Sequence, residues 1–439
     1  IAIPEKVELK GDGKGASSLV WDASMWPYGK LPDGLVYFTR DMEIHDITLM
    51  GSRYKTMIRA YNAAGDETAF SIYNVDMRYY PYGGGPTSGA GSSTGEMTPV
   101  EQAQAISNEL SNSQYLNFQT GFNRDETYEF VRIENVEIKS DILNFANGSR
   151  GLTGGVDYMY MSNVKFNQGY SVIHNFKGSI VEGCEFYDNS PIGMDGHLYL
   201  ARNIFRDNME NNRELYTMDG GSYYSDVVLQ QTDDPLKFRV TSAALSKVLG
   251  MEIFVTAGQG LGQARIITGV EENADGYFIT VDKPFIMAPN RNSRCTVHTV
   301  RSQTYFINGK YDNGSASGTY GTATDMIWDG NEFIRHGGQT FTLLNSHNWY
   351  LSIINQTVKE PLFLHGDGVT TTDKLINGYW RFNFNGNTAK AQSVLGFTIR
   401  GNKLYDGSRM NFTWSGNCAR DIVVENNYVG PGVDEAIST

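Results

Sequence analysis

One short phrase recurs along the chain and constrains its fold more than any other feature. A β-rich triplet is followed by Asn or Gly, a variable pair, an apolar residue and polar turn residues. The phrase reads IENVEIKSD at 133–141, MSNVKFNQG at 161–169, VEGCEFYDN at 181–189 and LARNIFRDN at 200–208. It returns as IWDGNEFIRHG at 327–337, FTIRGNKLYDG at 397–407 and VVENNYVG at 423–430. No helical period fits inside it. The flanking Val, Ile, Tyr, Phe and Leu alternate in short runs broken by Gly, Asn and Asp, the pattern of strands. A single unit of this size cannot bury its own apolar face, whereas a stack of units can. Ile138, Phe166, Phe186 and Phe205 then form one internal column, and Asn189 and Asn208 share a turn position, where an Asn side chain can bridge to a neighbouring backbone.

With these repeats on roughly 36–222 and 302–430, the chain resembles the right-handed parallel β-helix of pectin-lyase-like proteins, the bacterial polysaccharide-degrading enzymes and phage tailspikes. The resemblance implies an all-β solenoid and says little about function. Residues 1–35 are expected to cap the first coil, and 36–223 to form the first part of the solenoid. Within that part, a Gly-rich excursion over 82–115 ends in a helix over TPVEQAQAISNELSN, with Thr98 at its N-cap and Pro99 at N1. Residues 224–302 (VVLQQ, LKFRVTS, MEIFVTAG, QARIITGV, GYFITVDKPF, RCTVHTV) carry strands at hairpin spacing, predicting an inserted small antiparallel β-barrel or sandwich. Residues 303–439 complete the solenoid. GQGLGQ inside the insert has Gly258, Gly260 and Gly262, but no helix follows that could aim its N-terminus at a phosphate, so a hairpin role is expected.

Composition excludes several functions. With 36 Lys and Arg against 49 Asp and Glu, the net charge of −13 opposes nucleic-acid binding, which depends on cations neutralising phosphates. A hydrophobic fraction of 40% excludes global disorder. No apolar run approaches the ~18 residues of a membrane span. Cys184, Cys295 and Cys418 lie too far apart for a C-x-x-C pair and read as buried small side chains. An Ile in first position is what a processed chain or a piece of a longer one would show.

Residues on neighbouring coils become surface columns. Two positions beyond the internal apolar residue stand Ser140, Gln168, Asp188 and Asp207, then Arg335, Glu360 and Asp406. Rungs ~4.8 Å apart would bring Asp188 and Asp207 near the ~5–5.5 Å separation of a retaining glycosidase pair. Turn chemistry at a solenoid corner accounts for the same two residues without catalysis. Asp188, Asp207, Arg213, Arg335 and Glu360 are the candidate substrate-binding residues. A second column, after the next strand, holds His174, Asp195, Asp219, Asn345, His365 and Asp367, with Glu214 nearby. Clustered carboxylates push one another's pKa apart, leaving one to donate a proton and one to activate water. Asp195, Glu214, Asp219, His365 and Asp367 are therefore the candidate catalytic residues, although Asp-Gly turns and a structural histidine would explain several of them. The Tyr-rich runs RYYPY (78–82), YMY (158–160) and SYY (222–224) are candidate sugar platforms.

A long rigid parallel sheet suits a linear polymer, so the expected activity is that of a secreted glycoside hydrolase acting on a polysaccharide in a groove. The alternatives are a lyase of the same fold, or a non-catalytic glycan-binding adhesin or phage tail protein at a virion surface. The last would be a trimer; a monomer fits the enzyme readings equally. No cofactor or metal is expected. Asp and Asn oxygens could take calcium, but no D-x-[DN]-x-[DN]-G loop is present.

Overall fold

The computed structural model describes residues 2, 6–21, 35–38, 41–51, 56–61, 69–79, 114–119, 128–140, 150–194, 199–211, 214–220, 222–240, 248–298, 300–312, 316–321, 323–334, 341–344, 348–359, 363–364, 374–375, 379–384, 393–405, 409–414, 418–431 and 437–438. Among these every regular element is a strand. The helix expected after Thr98 lies outside them. The chain divides into two compact units, Ile1–Gly193 with Asp207–Asn212, and Met194–Arg206 with Arg213–Thr439.

In the first unit, strands separated by tens of residues pair in parallel. Met42–Gly51 receives Glu8–Lys10 and Ser18–Trp21 on one side and Ala69–Tyr79 on the other. Ala69–Tyr79 is followed by Tyr128–Glu134 and Glu137–Ser140, then by Arg150–Ser162 and Lys165–Glu182. The registers align Ile44, Ile72, Ile133, Met161 and Val181 into one column, every member fully buried. This column forms part of the buried core of the unit.

Each rung bends two residues later, at Asp46, Asn74, Asn135, Asn163 and Gly183, all in the left-handed region with φ between 51° and 60°. That conformation costs other L-residues roughly 1–2 kcal/mol, which explains the Asn-or-Gly position of the repeated phrase. The side chains also join successive rungs. Asn74 donates to Asp46 Oδ1 at 3.1 Å, Asn135 to Asn74 Oδ1 at 3.2 Å, and Asn163 to Asn135 Oδ1 at 3.3 Å. The next residue points inward again (Ile47, Val75, Val136, Val164, Cys184) and is buried.

The second unit repeats this scheme with a different filling. Phe205, Phe306, Trp328, Ile353 and Ile399 align across its parallel strands, and Phe306 stacks on Phe205 at 5.2 Å and on Trp328 at 5.1 Å. One set of its left-handed corners is Asn308, Gly330, Asn355, Gly401 and Asn426, and a second is Asp325, Tyr350, Gly396 and Asp421. The inward residue that follows a corner of the first set is polar in most rungs and serves as an internal cap. Asn402 accepts from Gln356 N–H at 2.8 Å and donates to the Ile353 carbonyl at 3.0 Å. Asn331 does the same for Gly309 and Phe306, and Asn427 for Asn402 and Ile399.

One expectation is corrected here. Phe166 and Phe186 do stack, at 5.1 Å, but Phe186 pairs in register with Glu210, whereas Phe205 pairs with Phe306 on the strand before the corner. The phrase LARNIFRDN contains two asparagines, and Asn203 lies inside a strand opposite Thr304. The turn is made by Asp207, with φ 54°, followed by the buried Asn208, which caps Cys184 N–H and the Val181 carbonyl.

Between Ser222 and His298 the strands are antiparallel. Ser222–Val227, Arg294–His298, Glu252–Ala257, Ala264–Asn273, Gly276–Val281, Lys237–Val240 and Leu229–Gln231 follow one another across a seven-stranded sheet. Leu229, Phe238, Ile253, Val255, Ile267, Ile279 and Val297 fill its own core. Gly258, Gly260 and Gly262 run with positive φ between two of its strands, and an added Cβ at Gly260 would lie 2.7 Å from the Met287 carbonyl oxygen. The sheet leans on the parallel strands of its unit through Phe254, whose ring meets Trp349 edge-on at 5.0 Å beside Leu395.

Candidate functional site: an aromatic and carboxylate face on the first unit

Alternation along a strand sends every second side chain out of the stack. In the first unit the residue just before each left-handed corner faces outward, and register gives the column Lys10, His45, Tyr73, Glu134, Ser162 and Glu182. Two residues earlier a parallel column runs Glu8, Glu43, Ser71, Arg132, Tyr160 and Ile180. A third, shorter one holds Ala69, Phe130, Tyr158 and Gly178. Phe130 and Tyr158 are 39% and 46% exposed on adjacent rungs, large apolar surfaces held open by a rigid sheet. Gly178 continues that column without a side chain and is itself buried.

The polar groups of the face are paired along the rungs. Tyr160 donates its hydroxyl to Glu182 Oε1 at 2.6 Å, and Arg132 Nη2 lies 2.5 Å from Glu134 Oε2. The bond to Glu182 is the main reason the Tyr160 phenol is held above its ordinary pKa. Tyr73 donates to Glu43 Oε2 at 3.3 Å; burial, then the Glu43 charge, raise its pKa as well. At the first rungs His45 is 3% exposed. Its Nδ1 lies 2.7 Å from Asp46 Oδ2, its Nε2 meets Glu8 Oε1, and its ring stacks on Tyr73 at 4.4 Å. Hydrogen bonds from His45 first, and then from Asn74, hold the Asp46 carboxyl below the usual aspartate range. Beyond the corner Asp76 is buried between Arg78 Nη2 at 3.0 Å and Lys14 Nζ at 3.4 Å, a paired ion fixing the segment that bears Lys14.

No family model and no curated protein matches this chain. What the face can do must therefore be read from its chemistry. Exposed rings flanked by ionised carboxylates and a tyrosine hydroxyl can meet the C–H faces and the hydroxyls of a sugar. Glu134 and Glu182 stand two rungs apart, about 9–10 Å between Cα atoms at ~4.8 Å per rung. Each has a partner on the face, Arg132 for Glu134 and the Tyr160 hydroxyl for Glu182. Among the described residues no cluster of three or more His, Cys, Asp or Glu could hold a metal ion, and no helix is long and apolar enough to cross a membrane.

The sequence singled out other positions. Asp195, Arg213, Arg335, Glu360, His365, Asp367 and Asn345 lie outside the described residues. Asp188, His174, Glu214 and Asp219 lie on strands (Glu185–Met194, Lys165–Glu182 and Glu214–Gly220), with their side chains outside the described set. Met194 pairs with Met218, and these are the residues immediately preceding Asp195 and Asp219. Asp207 is an exposed corner residue. Since Tyr187 pairs with Asn211, Asp207 does not share a rung position with Asp188, and the close pair drawn from the Phe205 alignment is not formed. Phe333, Val358 and Leu404, which anchor the segments bearing Arg335, Glu360 and Asp406, do align. Of the tyrosine runs, YMY is a strand with Met159 buried and both tyrosines facing out. Glu134, Glu182, Arg132, Tyr73 and His45 were missed, although each precedes a left-handed corner by one to three residues.

Proposed function

We propose that this chain is a right-handed parallel β-helix, capped by 1–35 and interrupted by an antiparallel insert over 224–302, that binds a polysaccharide and cleaves it as a glycoside hydrolase. The observation that carries the reading is the outward face of the first unit, where Phe130, Tyr158 and Tyr160 lie on adjacent rungs beside Glu134 and Glu182. A regular ladder of such groups matches a linear polymer better than a compact ligand, because neither has a closed end.

Cleavage is assigned to the carboxylates that follow Met194 and Met218. Asp195 and Asp219 would act as general acid and base, with Glu214, His365 and Asp367 as supporting groups and Asp188, Arg213, Arg335 and Glu360 as sugar contacts. The chemistry would need no cofactor, and the setting would be extracellular or a virion surface. A second reading, a non-catalytic glycan binder, is favoured by one observation: Glu134 is paired with Arg132 and Glu182 with the Tyr160 hydroxyl, so both carboxylates of the aromatic face already have partners within the fold.

A panel of plant, algal and bacterial polysaccharides, assayed for reducing ends and for the absorbance of unsaturated products, separates the readings. Reducing ends without unsaturation, lost in Asp219→Asn at unchanged melting temperature, is the expected result. Unsaturated products would indicate a lyase. Binding without either product would leave the binder.

A further inference from the structure

The outward face of the first unit carries a charge arrangement that selects among polysaccharides. Glu8, Glu43, Asp46, Glu134 and Glu182 supply its carboxylates, and Lys10, His45 and Arg132 its basic groups. Two of these basic groups, Arg132 and His45, are closely paired, and the third, Lys10, stands at the first rung with its side chain largely exposed. Arg132 is held by Glu134 at 2.5 Å, Lys10 lies 4.0 Å from Glu8, and His45 is clasped between Glu8 and Asp46. Arg132 and Glu134 are on the same strand two residues apart, so their pairing needs no ligand to form.

The geometry points to an uncharged polysaccharide as the ligand of this face, an inference that rests on the glycan-binding reading above. A polyuronate or sulfated glycan would place an anion beside five carboxylates, while Arg132, the basic group next to the exposed rings, is already held by Glu134. Capturing Arg132 would require breaking its bond to Glu134 and leaving that carboxylate facing the new charge. A neutral sugar has the opposite fit. Its hydroxyls donate to ionised Glu134 and Glu182, charge-assisted bonds stronger than neutral ones. Its C–H faces can lie on the exposed rings of Phe130 and Tyr158. The two residues that set the selectivity are then Arg132, by being occupied, and Glu134, by occupying it.

The test is gel retardation of the full chain at low salt. Separate gels would contain an uncharged glucan, mannan or xylan, a polyuronate and a sulfated glycan, for the wild type and Glu134→Gln. The wild type should be retarded by at least one uncharged polymer at least tenfold more strongly than by either polyanion. In Glu134→Gln, where Arg132 is released and one negative charge removed, polyuronate retardation should rise at least fivefold and fall again with added salt. Stronger retardation of the wild type by the polyuronate or the sulfated glycan would overturn the inference and leave glycan binding standing. Retardation by none of the polymers would overturn both.

Discussion

The Tyr160 hydroxyl donates to Glu182 Oε1 across one rung of the parallel stack, at 2.6 Å. Ile180, the direct register partner of Tyr160, and Glu182 lie two residues apart on the same strand, so the bond runs diagonally between rungs. It favours the protonated phenol of Tyr160 on a face that otherwise exposes aromatic rings.

That bond has a pH signature. A phenol whose pKa is raised in the fold contributes stability fully present below its unfolded value of about 10, and lost as pH rises through the folded value. Tyr160→Phe should therefore flatten the alkaline loss of stability. In a spectrophotometric titration of the folded protein it should remove one of the late-ionising tyrosines. Loss instead of a tyrosine that ionises at the ordinary pH of about 10 would show that Glu182 does not hold Tyr160.

Asn402 is a second fixed point. Replacing it with Ala strands the Gln356 N–H and the Ile353 carbonyl in the core. The expected cost is about 1–3 kcal/mol for each group left unpaired. Urea unfolding should show a lower midpoint at an unchanged slope. A variant as stable as the wild type would mean that the internal caps are dispensable.

The left-handed corners predict an inverted order of substitutions. Asn135 sits at φ 51° and bonds to both Asn74 and Asn163. Asn135→Gly loses the side-chain ladder but keeps the backbone relaxed, whereas Asn135→Ala adds roughly 1–2 kcal/mol of backbone strain. Thermal melts should therefore rank Gly above Ala, the reverse of the order in an ordinary strand.

The cysteines offer a simple chemical check. Burial pushes the Cys184 and Cys295 thiols up to about 12, and only the thiolate is nucleophilic. Mass spectrometry after treatment with a thiol reagent at neutral pH should find both unmodified in the folded protein and both labelled in denaturant. Labelling of either in the folded state would contradict its burial.

The Asn-or-Gly position of the phrase was legible because these are the residues a left-handed turn tolerates, and Asn135, Asn163 and Gly183 recur in one context. The turn position expected to be shared by Asn189 and Asn208 is not formed, since Asn189 lies inside the strand Glu185–Met194. The phrase misled at 200–208 because Asn203 imitates a corner residue while the corner itself is the doublet Asp207-Asn208. Later rungs carry the same kind of doublet at Gly330-Asn331, Gly401-Asn402 and Asn426-Asn427, one residue for the turn and one for the core. The outward face was harder to read. Glu134 and Glu182 look like ordinary strand residues until register places them in one column with Tyr73, and nothing in the repeated phrase distinguishes the residue before a corner from any other strand residue. The antiparallel strands were legible because Tyr277, Ile279 and Val281 alternate on hairpin spacing, with Asn273 and Gly276 closing the tight turn.

The central claim is that the rings of the first unit's outward face hold a sugar polymer, and a binding isotherm for Tyr158→Ala tests it most directly. With a polysaccharide that the wild type binds, the variant should lose roughly tenfold in affinity, about 1.4 kcal/mol, at an unchanged melting temperature. Equal affinity for wild type and variant would contradict the account.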